Sequence, residues 1–215
     1  VALMLVLYLV GGVVVVGGTL ALLAYVKRRR EALQQRAHAM AQYGWFPAPP
    51  SPWLAEVAAR LYTNGAPGEM FAGDFRGRGL CVLEYRYTTS NGKSSQTHTV
   101  HLVALNLPAA LPPLTVSHDS ALRRAFSADI ELESQAFNDA FRVDCQDQRY
   151  ASAVLHPRLM EWMLANPALE WQLAGNALVS WAYGAFAIPD LLARLEALQG
   201  VLDRIPPFVL RDYGA

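Results

Sequence analysis

The chain has 215 residues, 18 Lys and Arg against 18 Asp and Glu for a formal net charge of +0, and 2 cysteines. That balance argues against a nucleic-acid binder, and the two distant cysteines, Cys81 and Cys145, with no CxxC pair and no histidine-rich cluster, argue against a structural zinc and for free buried thiols in a reducing compartment. The charge is unevenly placed, however: residues 27–50 carry a net of +4 and the rest of the chain a net of −4.

Val1 to Val26 contains no Asp, Glu, Lys, Arg, His, Asn or Gln. As a helix it is about 39 Å long, more than the ~30 Å hydrocarbon core of a bilayer requires, and residues 1–26 are therefore expected to form a transmembrane helix. Lys27, Arg28, Arg29 and Arg30 follow at once. Basic residues beside a span resist translocation, so this end is expected in the cytoplasm, with the four side chains against anionic lipid. A signal peptide would carry its charges before a shorter apolar run. The start at Val1 rather than Met leaves the outer end of the span undefined. Gly11, Gly12, Gly17 and Gly18 mark the run, and Gly11 and Gly18, seven apart, share one helix face suited to packing another helix, from a membrane-protein complex or a second copy of the chain.

Residues 27–50 read as a basic juxtamembrane stalk and proline-rich linker: helical spacing continues to Tyr43, Gly44 stops it, and Pro47, Pro49 and Pro50 forbid its resumption. Residues 51–215 are expected to be a cytoplasmic domain. Ser51 and Pro52 open a helix with Leu54, Val57, Ala58 and Leu61 on one stripe. Met70–Arg76, Leu80–Thr88 and Thr97–Leu105 then read as an antiparallel meander, turned at Gly77-Arg78-Gly79 and at a polar loop holding Asn91-Gly92. A proline-rich turn at 107–113 leads to a short strand at 114–117 and a small helix at 119–126. Ile130–Leu132 reads as a short strand, Ser134–Phe141 as one or two helical turns and Arg142–Cys145 as extended, followed by helices at 147–155 and 157–164 separated before Pro157. Residues 169–173 and 177–183 read as a hairpin turned at Gly175-Asn176, and Pro189 opens an amphipathic helix that Pro206-Pro207 ends.

Residues of possible chemistry are few. His98 and His101 lie three apart in a strand and so face opposite ways, which prevents joint chelation. Asp129, Glu131 and Glu133 form an acidic run best read as a solvated edge, and no metal site is expected. Gly92-Lys93-Ser94 imitates the end of a phosphate-binding loop, but Tyr87 stands where its leading glycine belongs. No serine lies in a GxSxG elbow. No cofactor is called for, and no catalytic residue is assigned. Trp171 and Trp181 are candidates for exposed anchors to a partner.

The stretch from Phe137 to Val143 and Tyr150 to Pro157, with Gly44-Trp45, the Tyr85, Tyr87, Thr88, Thr89 strand end and the closing Ile205-Pro206-Pro207-Phe208-Val209, resembles a group of uncharacterised actinobacterial membrane proteins with one N-terminal span. The resemblance covers most of residues 44–214 and implies membrane anchoring and a shared fold, with no activity or ligand. The expectation is thus an α+β protein, an N-terminal transmembrane helix followed by an antiparallel sheet domain covered by helices. Its leading function is a non-catalytic accessory or scaffold protein that binds membrane lipids and another membrane protein, and no nucleic acid. The alternatives are a membrane-tethered hydrolase using His156 with carboxylates from 129–144, and a domain sensing a lipid or small molecule in a cavity.

Overall fold

The computed structural model describes residues 2–118 and 130–215; for 2–18 and 21 the backbone alone is described. The chain divides into two compact units, residues 1–44 and 45–215.

The first unit is one helix, α1 (Ala2–Ala41). It ends as the sequence implies: the amides of Tyr43 and Gly44 turn back onto the carbonyls of Met40 and Ala41, and Gly44 takes φ +76°, which a side chain would oppose. Among the described residues no helix is long and apolar enough to cross a membrane. The expected span, with Gly11, Gly12, Gly17 and Gly18, lies largely outside the residues whose side chains are described.

The second unit is α+β: β1 (Phe46–Ala48), α2 (Pro52–Leu61), β2 (Gly65–Phe75), β3 (Arg78–Ser90), β4 (Ser95–Ser117), α3 (Gln135–Ala140), β5 (Arg142–Cys145), α4 (Gln148–Val154), α5 (Pro157–Leu164), β6 (Trp171–Tyr183), α6 (Ile188–Leu202) and α7 (Pro207–Asp212). The strands form a six-stranded antiparallel sheet in the order β1-β2-β3-β4-β5, with β6 also paired to β4. The proline-rich stretch read as linker thus contributes an edge strand, β1 on β2, where proline's missing N–H is tolerated. The first hairpin turns at Arg76 and Gly77, both with positive φ (53° and 78°), one residue earlier than the sequence reading. The second is tied by Asn91, whose Oδ1 accepts from the amides of Lys93 and Ser94 at 3.1 and 2.9 Å. Gly92-Lys93-Ser94 is therefore a hairpin tip.

Two stretches differ from the reading in an instructive way. Residues 107–113 do not end a strand, since β4 runs on through irregular register to Ser117, and residues 169–183 are not a hairpin pairing with itself. Instead β4 and β6 form one long ribbon that folds back on itself. The proof is Ser180 Oγ, which donates at 2.6 Å to the carbonyl of Glu170, ten residues earlier on the same stretch; extended, those residues would span about 33 Å. The fold lies where the register shifts, around Leu111 opposite Gly175, and Gly175 takes φ +59° there. The C-terminal residue braces the corner, Ala215 and Ala110 exchanging hydrogen bonds at 3.0 and 3.3 Å. The reversal at Gly175 was legible, but each arm pairs with β4 rather than with the other.

One face of the sheet buries Leu83, Tyr85, Val100, Leu102, Val179 and Trp181 with Leu54, Val57 and Ala58 of α2 in one cluster. Each of the leucines and valines among them contributes roughly 1.5–3 kcal/mol of burial. Ser51 starts α2 without a side-chain cap, and its amide donates to Met70 Sδ instead. α6 packs on β4 and β6 through its own buried leucines, Leu191, Leu195 and Leu198. Ile130–Leu132 is not a strand, although the amide of Ile130 donates to Val143 of β5. The helix expected at 119–126, and Asp129, lie outside the described residues.

Candidate functional site

The folded ribbon places polar side chains where a sheet normally buries apolar ones. Thr115 of β4 stands opposite Asp144 of β5 on one side and Gln172 of β6 on the other. Directly opposed residues share a face with Cβ atoms about 5 Å apart, so the three make one polar row across three strands. Thr115 is only 3% exposed, and Ser117 on the same face 4%. Buried hydroxyls at the middle of a sheet are the informative exception to apolar interiors.

This row floors a cavity of about 580 Å³, roofed by Arg60 and Leu61 at the end of α2 and walled by Pro112 and Pro113 at the ribbon corner. Its charged side chains have interactions of their own. Arg60 pairs with Glu56 at 2.6 Å, Asp147 caps α4 by accepting from the amides of Arg149 and Tyr150 at 2.8 and 3.1 Å, and Asp144 has an interaction of its own. Cys145 at the rim donates to the Asp147 carbonyl at 3.4 Å; burial, aided by the Asp147 and Asp144 charges, pushes its thiol up in pKa, away from the reactive thiolate.

A second polar cluster closes the ribbon. The Glu170 carboxylate accepts from the His118 amide at 2.9 Å and from Trp181 Nε1 at 3.1 Å. Arg194 of α6 donates to Ser180 Oγ at 3.0 Å and to the Trp181 carbonyl at 2.9 Å, satisfying the open edge of β6. Burial lowers the Arg194 pKa while Glu170 and Asp190 oppose that shift. Tyr62, just past α2, is buried, and burial first, then the neighbouring Tyr183 and Glu170, raises its pKa. Its ring stacks on Tyr87, which stacks in turn on His98, at centroid distances of 4.8 and 5.1 Å.

The residues singled out from sequence fall as follows. Trp171 and Trp181 are 0% and 2% exposed, which corrects the expectation of exposed anchors. Their register turns both indoles inward, Trp171 Nε1 donating to Met163 Sδ of α5 and Trp181 Nε1 to Glu170. Lys27, Arg28, Arg29 and Arg30 are exposed on α1. His156 precedes α5 and is bonded through Nε2 to the Arg204 carbonyl at 2.8 Å, tying the α4–α5 junction to the end of α6. The shallow cavity beside it is lined by Ser152, Ala153, Pro157, Arg158, Pro206 and Phe208, with no carboxylate among the described residues. Glu131 and Glu133 are exposed and lie outside any strand. His101 points away from His98, is 4% exposed, and joins Nδ1 to the Gly184 carbonyl at 3.0 Å. No local sequence pattern marks Thr115 or Gln172; only the register of three strands brings them together.

No protein-family model matches the chain, and no curated protein matches it. Among solved structures it is similar to the crystal structure of the mycobacterial trehalose monomycolate transport factor A, TtfA, at 12% sequence identity over 81% of this chain and 96% of that one, with a TM-score of 0.54. At that identity the likeness is one of fold.

Proposed function

We propose that this chain is a non-catalytic accessory factor of a membrane transport assembly, anchored by residues 1–26, with 27–50 as stalk and linker and 51–215 as a cytoplasmic domain. The observation that carries the reading is the 26-residue stretch without a strongly polar side chain, followed at once by Lys27, Arg28, Arg29 and Arg30. The apolar length suits a span and the cations suit the anionic cytoplasmic leaflet. The fold shared with a transport factor supports an accessory role. The face bearing Gly11 and Gly18 then packs against a helix of a partner membrane protein, or against a second copy.

The test is alkaline carbonate extraction of membranes from cells making the full chain, with protease digestion of right-side-out and inverted vesicles. The reading expects the chain to stay in the membrane pellet and the domain to be cut only in inverted vesicles. Release into the supernatant contradicts the anchor, and cutting in right-side-out vesicles contradicts the orientation.

A further inference from the structure

Asp190 and Arg194 stand one turn apart on α6, a spacing at which opposite charges ordinarily pair across about 6 Å between Cβ atoms. Here they do not pair. Arg194 Nη1 is drawn onto β6, donating to Ser180 Oγ at 3.0 Å and to the Trp181 carbonyl at 2.9 Å, and neither residue forms an ion pair among the described residues. Arg194 Nε is buried and makes no hydrogen bond among the described residues. A guanidinium N–H left so costs stability, and its place calls for a partner that the chain itself does not supply. Both side chains line one cavity of about 360 Å³, between α6 and the loop from α5 to β6. Asn166 of that loop lines it too; its Nδ2 donates to the Trp162 carbonyl at 2.8 Å, and its Oδ1 makes no hydrogen bond among the described residues.

We propose that this cavity binds a free α-amino acid with an apolar side chain, an inference that goes beyond the accessory role and does not depend on it. The charges select a zwitterion. Asp190 lines the cavity, and Glu170, whose carboxylate is committed to Trp181 Nε1 and the His118 amide, lies within electrostatic reach of Arg194. A simple anion at Arg194 therefore meets two carboxylates, and a simple cation at Asp190 meets the guanidinium. An α-amino acid carries both charges on one carbon. Its carboxylate accepts from the Arg194 N–H groups that β6 leaves unused, and its ammonium donates to Asp190 and to Asn166 Oδ1. Leu169, Ala193 and Ala197 supply an apolar wall for its side chain. A volume of about 360 Å³ holds one amino acid and is too small for the acyl chains of a zwitterionic phospholipid.

The experiment is a saturation-transfer NMR titration of the full chain, held in an amphipol, with L-phenylalanine and L-leucine. Hydrocinnamate, which lacks the ammonium, and phenethylamine, which lacks the carboxylate, present the phenylalanine ring with one charge each. Both are expected to bind about tenfold more weakly than L-phenylalanine, a difference of about 1.4 kcal/mol. Asp190→Asn, at an exposed position that does not threaten the fold, should weaken L-phenylalanine about tenfold and leave hydrocinnamate no weaker. Arg194→Lys keeps the charge and a donor for Trp181 but loses the fork, and should weaken the amino acid and hydrocinnamate alike. Absence of signal from both amino acids overturns the proposal. Equal binding of either single-charge analogue overturns it as well, as does amino-acid binding that Asp190→Asn leaves unchanged. Binding of dihexanoylphosphatidylethanolamine in place of the amino acids would assign the cavity to a lipid headgroup and overturn it too.

Discussion

Replacing Glu170 with Ala probes the closure of the folded ribbon directly. The carboxylate accepts from Trp181 Nε1 at 3.1 Å and from the His118 amide at 2.9 Å, while the Ser180 bond goes to the backbone carbonyl and survives the change. The two losses are unequal. His118 is exposed, so water replaces its partner at little cost, whereas Trp181 is 2% exposed and its indole N–H would be left buried and unpaired. A hydrogen bond to a charged group contributes about 1.5–3 kcal/mol, and because Glu170 is itself half-buried the whole effect should be about 2 kcal/mol. For a chain of this size that corresponds to a fall in Tm of roughly 4–8 °C. Glu170→Gln keeps an acceptor for Trp181 and should lose about half as much. Equilibrium urea unfolding, followed by tryptophan fluorescence, measures both. A stability for Glu170→Ala within about 0.5 kcal/mol of the parent, the range of an ordinary surface change, would refute the clamp.

Other consequences follow from the same geometry. Ser180→Ala removes a fully buried hydroxyl that joins Glu170 to Arg194 and should cost about 1–2 kcal/mol, read as a lower urea midpoint. His101 is buried, and desolvation lowers its pKa despite its bond to Gly184. With the folded pKa below the unfolded one, stability is complete above pH ~6.5 and falls by up to about 1.4 kcal/mol per pH unit below it, until the folded pKa is reached. The slope between pH 7 and 5.5 should flatten in His101→Leu, and an unchanged slope would rule His101 out as its source. His156→Ala should cost about 1 kcal/mol by freeing the Arg204 carbonyl; if it abolished a measurable hydrolysis while leaving stability intact, the structural role would be wrong. Changing Lys27, Arg28, Arg29 and Arg30 to Gln should scramble orientation, seen as domain cleavage in right-side-out vesicles.

How much of this was legible in the sequence depended on whether a signal was local. The meander over β2, β3 and the first half of β4 was readable because apolar and β-branched residues alternate and Asn91-Gly92 marks a turn. The stripe Leu54, Val57, Ala58 of α2 and the leucines of α6 were readable from helical spacing. Gly175 correctly announced a reversal, yet periodicity carries no information about which strand lies alongside, so β6 was paired with itself instead of with β4. Leu107 to Pro113, with Pro108, Pro112 and Pro113, looked like the end of a strand because proline cannot donate to a ladder, whereas irregular register there lets the strand turn a corner and continue. The same gap hid the site. Asp144, Thr115 and Gln172 are far apart in the chain and ordinary in their local contexts, and only strand register makes them neighbours. The burial of Trp171 and Trp181 is hidden for a related reason, since which way an indole faces follows from the pairing.

The central claim, an anchored accessory of a membrane assembly, is tested most directly by purifying the full chain from its native membrane in mild detergent. Co-purifying proteins are identified by mass spectrometry, beside a control in which residues 1–26 are replaced by an unrelated membrane span. The account predicts a stoichiometric membrane-protein partner that is lost in the control and weakened when Gly11 and Gly18 are changed to Leu. A chain that purifies alone from both membranes, or a partner retained equally by the control, would contradict it.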